Sequence, residues 1–401
     1  MGKLADLKLP LILISEIILC LLWGDRVSTE IKSALYAVSL SIKEALLMVL
    51  PFIIFSFLLS SIGTLKKGAF SFVVIAFLMV ILSNFTATSL AGFLGIFTLN
   101  ALDSIQAFTP STLDLLPLWD LDFPSFLSND TALFLGLLCG ILVSLTGSQK
   151  GQNLARYLQH YALLFLKRLF IPVIPVFVLG FILKMQHDGI LTLIVQNYLS
   201  VFVAITFLSF SYIIFLYGLS AHFNPSKWLT GIRNMLPALV TGFSTMSSAS
   251  ALPLITTASE KTSKNPVVNG IVPLSINIHM IGDCFSLSIL ALAIMVSFGH
   301  PLPDTSTFLT FVFFFVIARF SVAAVPGGGV LVVLPVLESA LGFSPEMLSL
   351  ILALYILFDP VATSANVFGN GAFALLFEKV YTGFHKSFYK KASSQQGRQT
   401  P

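Results

Sequence analysis

The sequence predicts an all-α polytopic membrane protein with eight transmembrane helices and two re-entrant helical hairpins, and three observations carry that prediction. Of 401 residues, 56% are hydrophobic and only 10% charged, at a mean hydropathy of +0.93, which is more apolar surface than a water-soluble core needs. Long segments of Leu, Ile, Val and Phe recur along the whole chain, whereas a barrel would show short alternating strands. Two stretches break this pattern with small, polar or Gly/Pro-rich tips between apolar arms, and irregular backbone at membrane depth is tolerated only where protein or a water-filled cavity surrounds it.

The start, MGKLADLKLPLILISEIILCLLW, has a charged flank and an apolar run with no small-residue cleavage signature after it, so it reads as a retained first helix. Hydropathy places helices near 10–24, 33–62, 68–97, 130–147, 154–186 and 192–220. Lys167 and Arg168, inside the fifth, read as an interfacial turn or as side chains that snorkel to the headgroups. The segment 225–264 holds only short apolar pieces around the polar run Ser244, Thr245, Ser247, Ser248 and Ser250. Charged residues flank both ends (Lys227 and Arg233; Glu260, Lys261 and Lys264), so it most simply enters and leaves on one side. The segment 305–348 repeats the logic, with apolar arms from Phe308 to Phe320 and from Leu331 to Leu341 around the tip VPGGG. A full helix follows each hairpin, at about 266–299 and 349–382. Two interrupted hairpins in corresponding places point to an inverted repeat around a midplane binding site, the architecture of a secondary transporter.

Charge sets the orientation. Lys3 and Lys8, Lys66 and Lys67, Lys150 and Arg156, Lys227 and Arg233, and Lys386, Lys390, Lys391 and Arg398 fall in alternate loops or at the termini, which belong inside. The connection from about 98 to 130 carries Asp103, Asp114, Asp120, Asp122 and Asp130 without Lys or Arg, and fits the opposite side. Both termini are therefore expected in the cytoplasm. The sparse basic tail from 386 to 401 calls for no nucleic acid; mild attraction to anionic lipid suffices. Cys20, Cys139 and Cys284 lie far apart in apolar segments and point to neither disulfides nor a metal site. There is no P-loop glycine-lysine pattern, no metal-ligand histidine pair and no nucleophile elbow, so an enzyme is not expected.

Asp359 stands out within LALYILFDPVATSANVFGNGAFALLF. Offsets of four, seven and eleven residues bring Thr363, Asn366 and Asn370 back to within about 40° of it on a helix. A carboxylate at membrane depth costs roughly 2.5–3.5 kcal/mol even on lenient insertion scales, so this face reads as a coordination site. His279 and Asp283, four residues apart in the preceding helix, read as sharing a face where either could carry a proton.

These residues resemble the dicarboxylate/amino-acid:cation symporters, the sodium:dicarboxylate symporter family that includes glutamate transporters and neutral amino-acid exchangers. The resemblance rests on LPFIIFSFLLSSIGTL (50–65), SSASALP (247–253), PLSINIHMIGD (273–283), VPGGG (325–329) and DPVATSANVFGNG (359–371). It implies a homotrimer with an elevator mechanism. Helices of 1–65 and 98–190 would form the scaffold, 66–97 and 191–385 the transport domain, and the second hairpin the extracellular gate. By the family's pattern, Ser247 and Ser248 help hold the substrate's main carboxylate, and Val325, Gly327 and Gly329 let the second tip approach the substrate. Asp359 matches the aspartate that pairs with the substrate's ammonium, Asn366 the asparagine beside its carboxylate, and Thr363 lies between them.

The departures from the family bear on specificity and coupling. The acidic-amino-acid members have an arginine where this chain has Ala362, and a threonine where it has Asp283. A second substrate carboxylate would then be buried unpaired. The pocket shifts toward negative charge, favouring a neutral or cationic side chain. The family's NMDGT reads His279-Met280-Ile281-Gly282-Asp283, and the eighth helix carries Asn370 where others have a sodium-binding aspartate. Two anionic sodium ligands are missing, so His279, Asp283, Asn366 and Asn370 are the candidates for ion or proton coupling.

The function expected from the sequence is a symporter or exchanger of an amino acid, with no cofactor and with Na+ or H+ as coupling ion, in a bacterial inner membrane. A proton- or sodium-coupled C4-dicarboxylate/glutamate symporter is the alternative. A non-transporting channel or sensor on the same scaffold is the alternative of another class.

Overall fold

A computed structural model describes residues 8–64, 70–102, 115–121, 123–124, 126–189, 191–322 and 328–396. Among them all regular structure is helical. Helix α1 (Lys8–Trp23) leads through a 3-10 turn at Gly24–Arg26 to α2 (Thr29–Gly63), and α3 (Phe70–Leu102) follows. Ser28 starts α2 by accepting a hydrogen bond from Ile31 N at 3.4 Å, a side-chain cap for an otherwise orphaned amide. Helices α4 (Asn129–Thr146), α5 (Gln149–Phe165), α6 (Ile171–His187) and α7 (Leu191–Ser220) come next. The single helix expected over 154–186 is two, joined by a π-type turn at Leu166–Phe170 and bent by 51°. Arg168 is exposed on that turn, as an interfacial break allows.

Both hairpins are present as pairs of packed helical arms. The first is α8 (Pro225–Thr245) against α9 (Ser248–Thr262). Asn224 caps α8 and Ser247 caps α9, with Met246 left-handed between them at φ 48°. The second runs from α12 (Thr305–Ala318), capped by Asp304, through a 3-10 turn at Arg319–Ser321 to α13 (Gly328–Leu331) and α14 (Leu334–Leu341). The tip residues Val325 and Gly327 lie outside the described residues, as do Lys3, Lys66, Lys67, Asp103, Asp114, Asp122 and Arg398. The helix expected over 266–299 is interrupted: α10 (Val267–Ser275) and α11 (Ile281–Ser297) flank a non-helical stretch at 276–280. Last comes α15 (Pro345–Gln396), which continues beyond the expected 349–382.

By length and composition, four described helical segments can cross a membrane: Thr29–Ser60, Phe72–Leu99, Tyr198–Ser220 and Pro345–Gly383. The bent pair α5–α6 makes a fifth if taken as one span. Helix α3 is inverted relative to a soluble amphipathic helix. Leu78, Leu82, Phe93 and Phe97 are exposed along one side, while Asn84 and Thr88 are fully buried on the other, the pattern of a helix with lipid outside and polar function inside.

The helices form two groups. In the first, α2 packs against α4, α5 and α6, and α1 against α6. In the second, α15 is the hub, packed against α7, α8, α9, α10 and α11, while α11 and α12 also pack on α3. The groups meet chiefly where Arg319–Ser321 lies on α2, α12 touches α4, and α15 touches α1 and α6.

Candidate functional site

The polar face of α15 forms as the helical spacing requires. Asp359, Thr363, Asn366 and Asn370 are all buried. Thr363 Oγ1 donates to Asp359 Oδ1 at 2.8 Å. Three glycines let neighbouring helices close on this face. A Cβ on Gly282 of α11 would collide with the Ala362 carbonyl, one on Gly242 of α8 with Val367, and one on Gly369 would press on Ile281. Ala362 is thus a close-packed crossing point of α11 and α15, 1% exposed.

Asp283, at the start of α11, is 1% exposed and completely engaged. Its Oδ1 accepts from Asn366 Nδ2 at 2.7 Å, and its backbone N donates to Asn366 Oδ1 at 3.2 Å, so one amide side chain serves it in both directions. The Tyr355 hydroxyl also hydrogen-bonds the carboxylate. Its Oδ2 meets Arg319, whose Nη1 lies 2.6 Å away. Arg319 is wholly buried, its Nη2 donates to the Gly329 carbonyl at 2.6 Å, and its Cζ sits 4.5 Å from the Phe315 ring centroid. A side-chain cation, a carboxylate and an aromatic face thus compensate one another out of water. Removing either partner of such a pair costs about 3–5 kcal/mol, because the other charge is stranded.

This corrects the charge balance read from the sequence. Arg319 supplies a cation from another element, so it offsets one of the two negative shifts that Asp283 and Ala362 make. The sequence reading passes over Arg319, although a lone cation in the apolar arm FVFFFVIARF carries the same signal as Asp359.

His279 and Asp283 do not share a helical face. The backbone between them leaves the helix at 276–280, and the two side chains part company. His279 is fully buried, stacks on Phe373 at 4.2 Å between centroids, and pairs its Nε2 with Ser83 Oγ at 2.9 Å. Its Nδ1 has no hydrogen-bond partner among the described residues. Asn370 holds the break in place, donating from Nδ2 to the His279 carbonyl at 3.1 Å and to the Asn366 carbonyl at 2.9 Å while accepting from Ser275 Oγ at 3.0 Å. Asn84 of α3, which the sequence reading also passes over, donates to the Ile278 carbonyl at 2.7 Å and accepts from Met280 N at 3.3 Å. A polar residue deep in an apolar helix is the signal that marks it.

Ser247 and Ser248 are half-buried at the tip of the first hairpin. The hydrogen bonds of Ser247 are local: its Oγ accepts from Ser250 N at 3.4 Å and its carbonyl from Thr245 Oγ1 at 3.4 Å. Gly329, the second residue of α13, lies directly over Asp283 and Tyr355, and a Cβ there would collide with both. Direct contacts therefore join Asp283, Asn366, Asn370, Gly329 and Arg319 in one network, with Asp359 and Thr363 paired on the same helix. Among the described residues, no group of three or more His, Cys, Asp or Glu side chains could hold a metal ion.

The model of the sodium:dicarboxylate symporter family matches residues 9–380, nearly the whole chain. No curated protein matches it.

Proposed function

Because the chain belongs to the sodium:dicarboxylate symporter family, we propose that it is a secondary transporter, symporter or exchanger, of a small amino acid with a neutral side chain, driven by a proton or sodium gradient. The observation that carries this is the buried carboxylate and hydroxyl on the polar face of α15. Asp283 is paired with Arg319, and the polar face of α15 offers the Asp359 carboxylate beside the Thr363 hydroxyl. An α-ammonium matches that carboxylate, and the substrate's own carboxylate falls to amide and backbone donors near Asn366 and the Ser247–Ser248 tip, where helix α9 begins. For a cationic side chain, the Asp283 carboxylate is already taken up by Arg319.

The two helix groups support an elevator division. The group around α2 is the scaffold and the group around α15 moves with the substrate, in a homotrimer of an inner membrane with both termini cytoplasmic. Ile281 is buried against Gly369, and Asn370 spends its hydrogen bonds on the 276–280 break and on α15. This leaves His279, whose Nδ1 has no partner among the described residues, as the candidate for proton coupling.

A second reading keeps a C4-dicarboxylate as substrate, and Arg319 favours it, since it brings to the site the cation that the eighth helix lacks. Uptake of labelled alanine, lysine, aspartate and succinate into proteoliposomes under imposed proton or sodium gradients separates the two. Alanine is expected to accumulate best, and Asp359→Asn to abolish its uptake. Amino-acid uptake that survives Asp359→Asn refutes the ammonium assignment; succinate as the best substrate establishes the second reading in place of the first.

A further inference from the structure

The face of α15 turned away from its polar residues lines a cavity. Ser349, Leu350, Ala353, Leu354 and Leu357 recur there at helical spacing, centred about 180° round the helix from Asp359, so this space is separate from the candidate substrate site. Its volume is 330 Å³, which is the size of a ligand pocket and far above the water-sized voids of a packed interior. The other walls come from α1, α6 and α7, and none of the described lining residues is charged. Phe181, Ile182 and Tyr198 are buried walls, and the Tyr198 hydroxyl is already paired with Ser297 Oγ at 3.0 Å. Ile14 and Ile18 of α1 and Leu199 of α7 belong to the same lining but are 43%, 49% and 68% exposed. On α7 the exposed stripe continues through Val203 and Phe207, an apolar surface of the kind that lipid tails cover.

We propose that this cavity is a binding site for one acyl chain of a bilayer phospholipid, which enters sideways between α1 and α7. Three features select that ligand. The exposed rim at Ile14, Ile18 and Leu199 makes the cavity continuous with the lipid-facing surface. Walls of hydrocarbon without charge take an apolar guest and reject a charged solute. The long direction of the cavity follows the helices: its lining runs from Ile14 to Leu21 on α1, from Val178 to Met185 on α6 and from Ser349 to Leu357 on α15. Each of these stretches rises about 10–12 Å, roughly a third of the hydrocarbon core, so a chain lying along the membrane normal fits the slot. Just past Leu21, Trp23 and Arg26 are exposed, an aromatic ring and a cation suited to the interfacial level where the headgroup stays. The walls come from both helix groups, α1 and α6 from one and α7 and α15 from the other. The proposal needs only that the chain lies in a membrane, and it stands apart from the substrate reading.

The test is photolabelling of the full chain in phospholipid vesicles that contain a phosphatidylcholine with a diazirine at mid-chain, the labelled residues being mapped by mass spectrometry. Label is expected on Phe181 and Tyr198, which are each 1% exposed and out of reach of bulk lipid. It should saturate as the probe fraction rises, whereas label on the outer side of α3, at Leu78, Leu82 and Phe93, should keep rising in proportion. Ala353→Trp fills the cavity from the α15 wall and is expected to lose most of the Phe181 and Tyr198 label while leaving that on α3 unchanged. Ala353→Leu fills less and should lower the inner label by a smaller factor, which keeps the test decisive where Ala353→Trp fails to fold. Label confined to the rim at Ile14, Ile18 and Leu199 overturns the proposal. So does inner label that never saturates, or that both variants leave as it is in the wild type. Because the readout is label and not uptake, each of these outcomes leaves the transport reading where it was.

Discussion

At Gly329 the backbone of the second hairpin comes so close to Asp283 and Tyr355 that a side chain has nowhere to go. Both neighbours are held, the carboxylate by Arg319 and Asn366 and the phenol by its hydrogen bond to that carboxylate, so neither can swing away cheaply. Gly329→Ala must therefore lift α13 or break the pair, and overpacking of this kind costs about 1–3 kcal/mol. At Gly383, an exposed position of α15, an added Cβ would meet nothing within 4 Å, and alanine is the better helix former. Thermal unfolding in detergent should show Gly329→Ala clearly destabilised and Gly383→Ala unchanged or slightly stabilised; equal midpoints for the two would refute the close-approach argument. Residues of this kind divide by what makes them visible. Asp359 and Arg319 are both legible as charges in apolar segments, since burial of a charge demands a reason. The pairing of Arg319 with Asp283 is not legible, because it crosses 36 residues and depends on how two helices and a hairpin meet.

The break between α10 and α11 shows the same limit among elements. Hydrophobic pattern gives one helix over 266–299, and both flanks of the break are indeed helical, α11 buried almost throughout and α10 on one face. Pattern says nothing of the 276–280 backbone, whose stray amide and carbonyl groups are stable away from water only if side chains from elsewhere satisfy them. Asn84 and Asn370 do so, from α3 and α15. Asn84→Ala orphans the Ile278 carbonyl and the Met280 amide together, at about 1–3 kcal/mol for each buried group left unmade. Asn84→Asp keeps the acceptor for Met280 and loses the donor. Hydrogen exchange at Met280 should accelerate in Asn84→Ala and far less in Asn84→Asp, and both variants should unfold at lower temperature than wild type. Identical Met280 exchange in all three would mean that Asn84 does not hold the break. The hairpins, by contrast, are legible at the element scale because their signal is local: a short polar or Gly/Pro-rich tip between apolar arms too short to span.

For the whole molecule, the hairpins differ in what covers them. The turn at Arg319–Ser321 lies on α2, whereas the arms of the first hairpin pack mainly on α10, α15 and α7 within their own group. A polar contact ties the groups on the side of the second hairpin. Tyr36 Oη of α2 donates to Glu346 Oε1 at 2.7 Å, Ser344 Oγ donates to Glu346 Oε2 at 2.7 Å, and Lys184 Nζ of α6 sits 5.4 Å from the centroid of the Tyr36 ring. If the group around α15 slides along the group around α2 during transport, this contact belongs to one end of the movement and must break at the other. Fixing it should then stop transport while leaving binding intact. The variant Tyr36→Cys/Glu346→Cys, joined by a short thiol-to-thiol crosslinker in a background without Cys20, Cys139 and Cys284, is expected to lose substrate uptake and to regain it when the link is cleaved. Ligand-induced thermal stabilisation should survive the crosslink, because the Asp359 and Asp283–Arg319 contacts all lie within the moving group. Full uptake by the crosslinked protein would show that α2 and α15 stay in register throughout the cycle, and the sliding division of the molecule would fall.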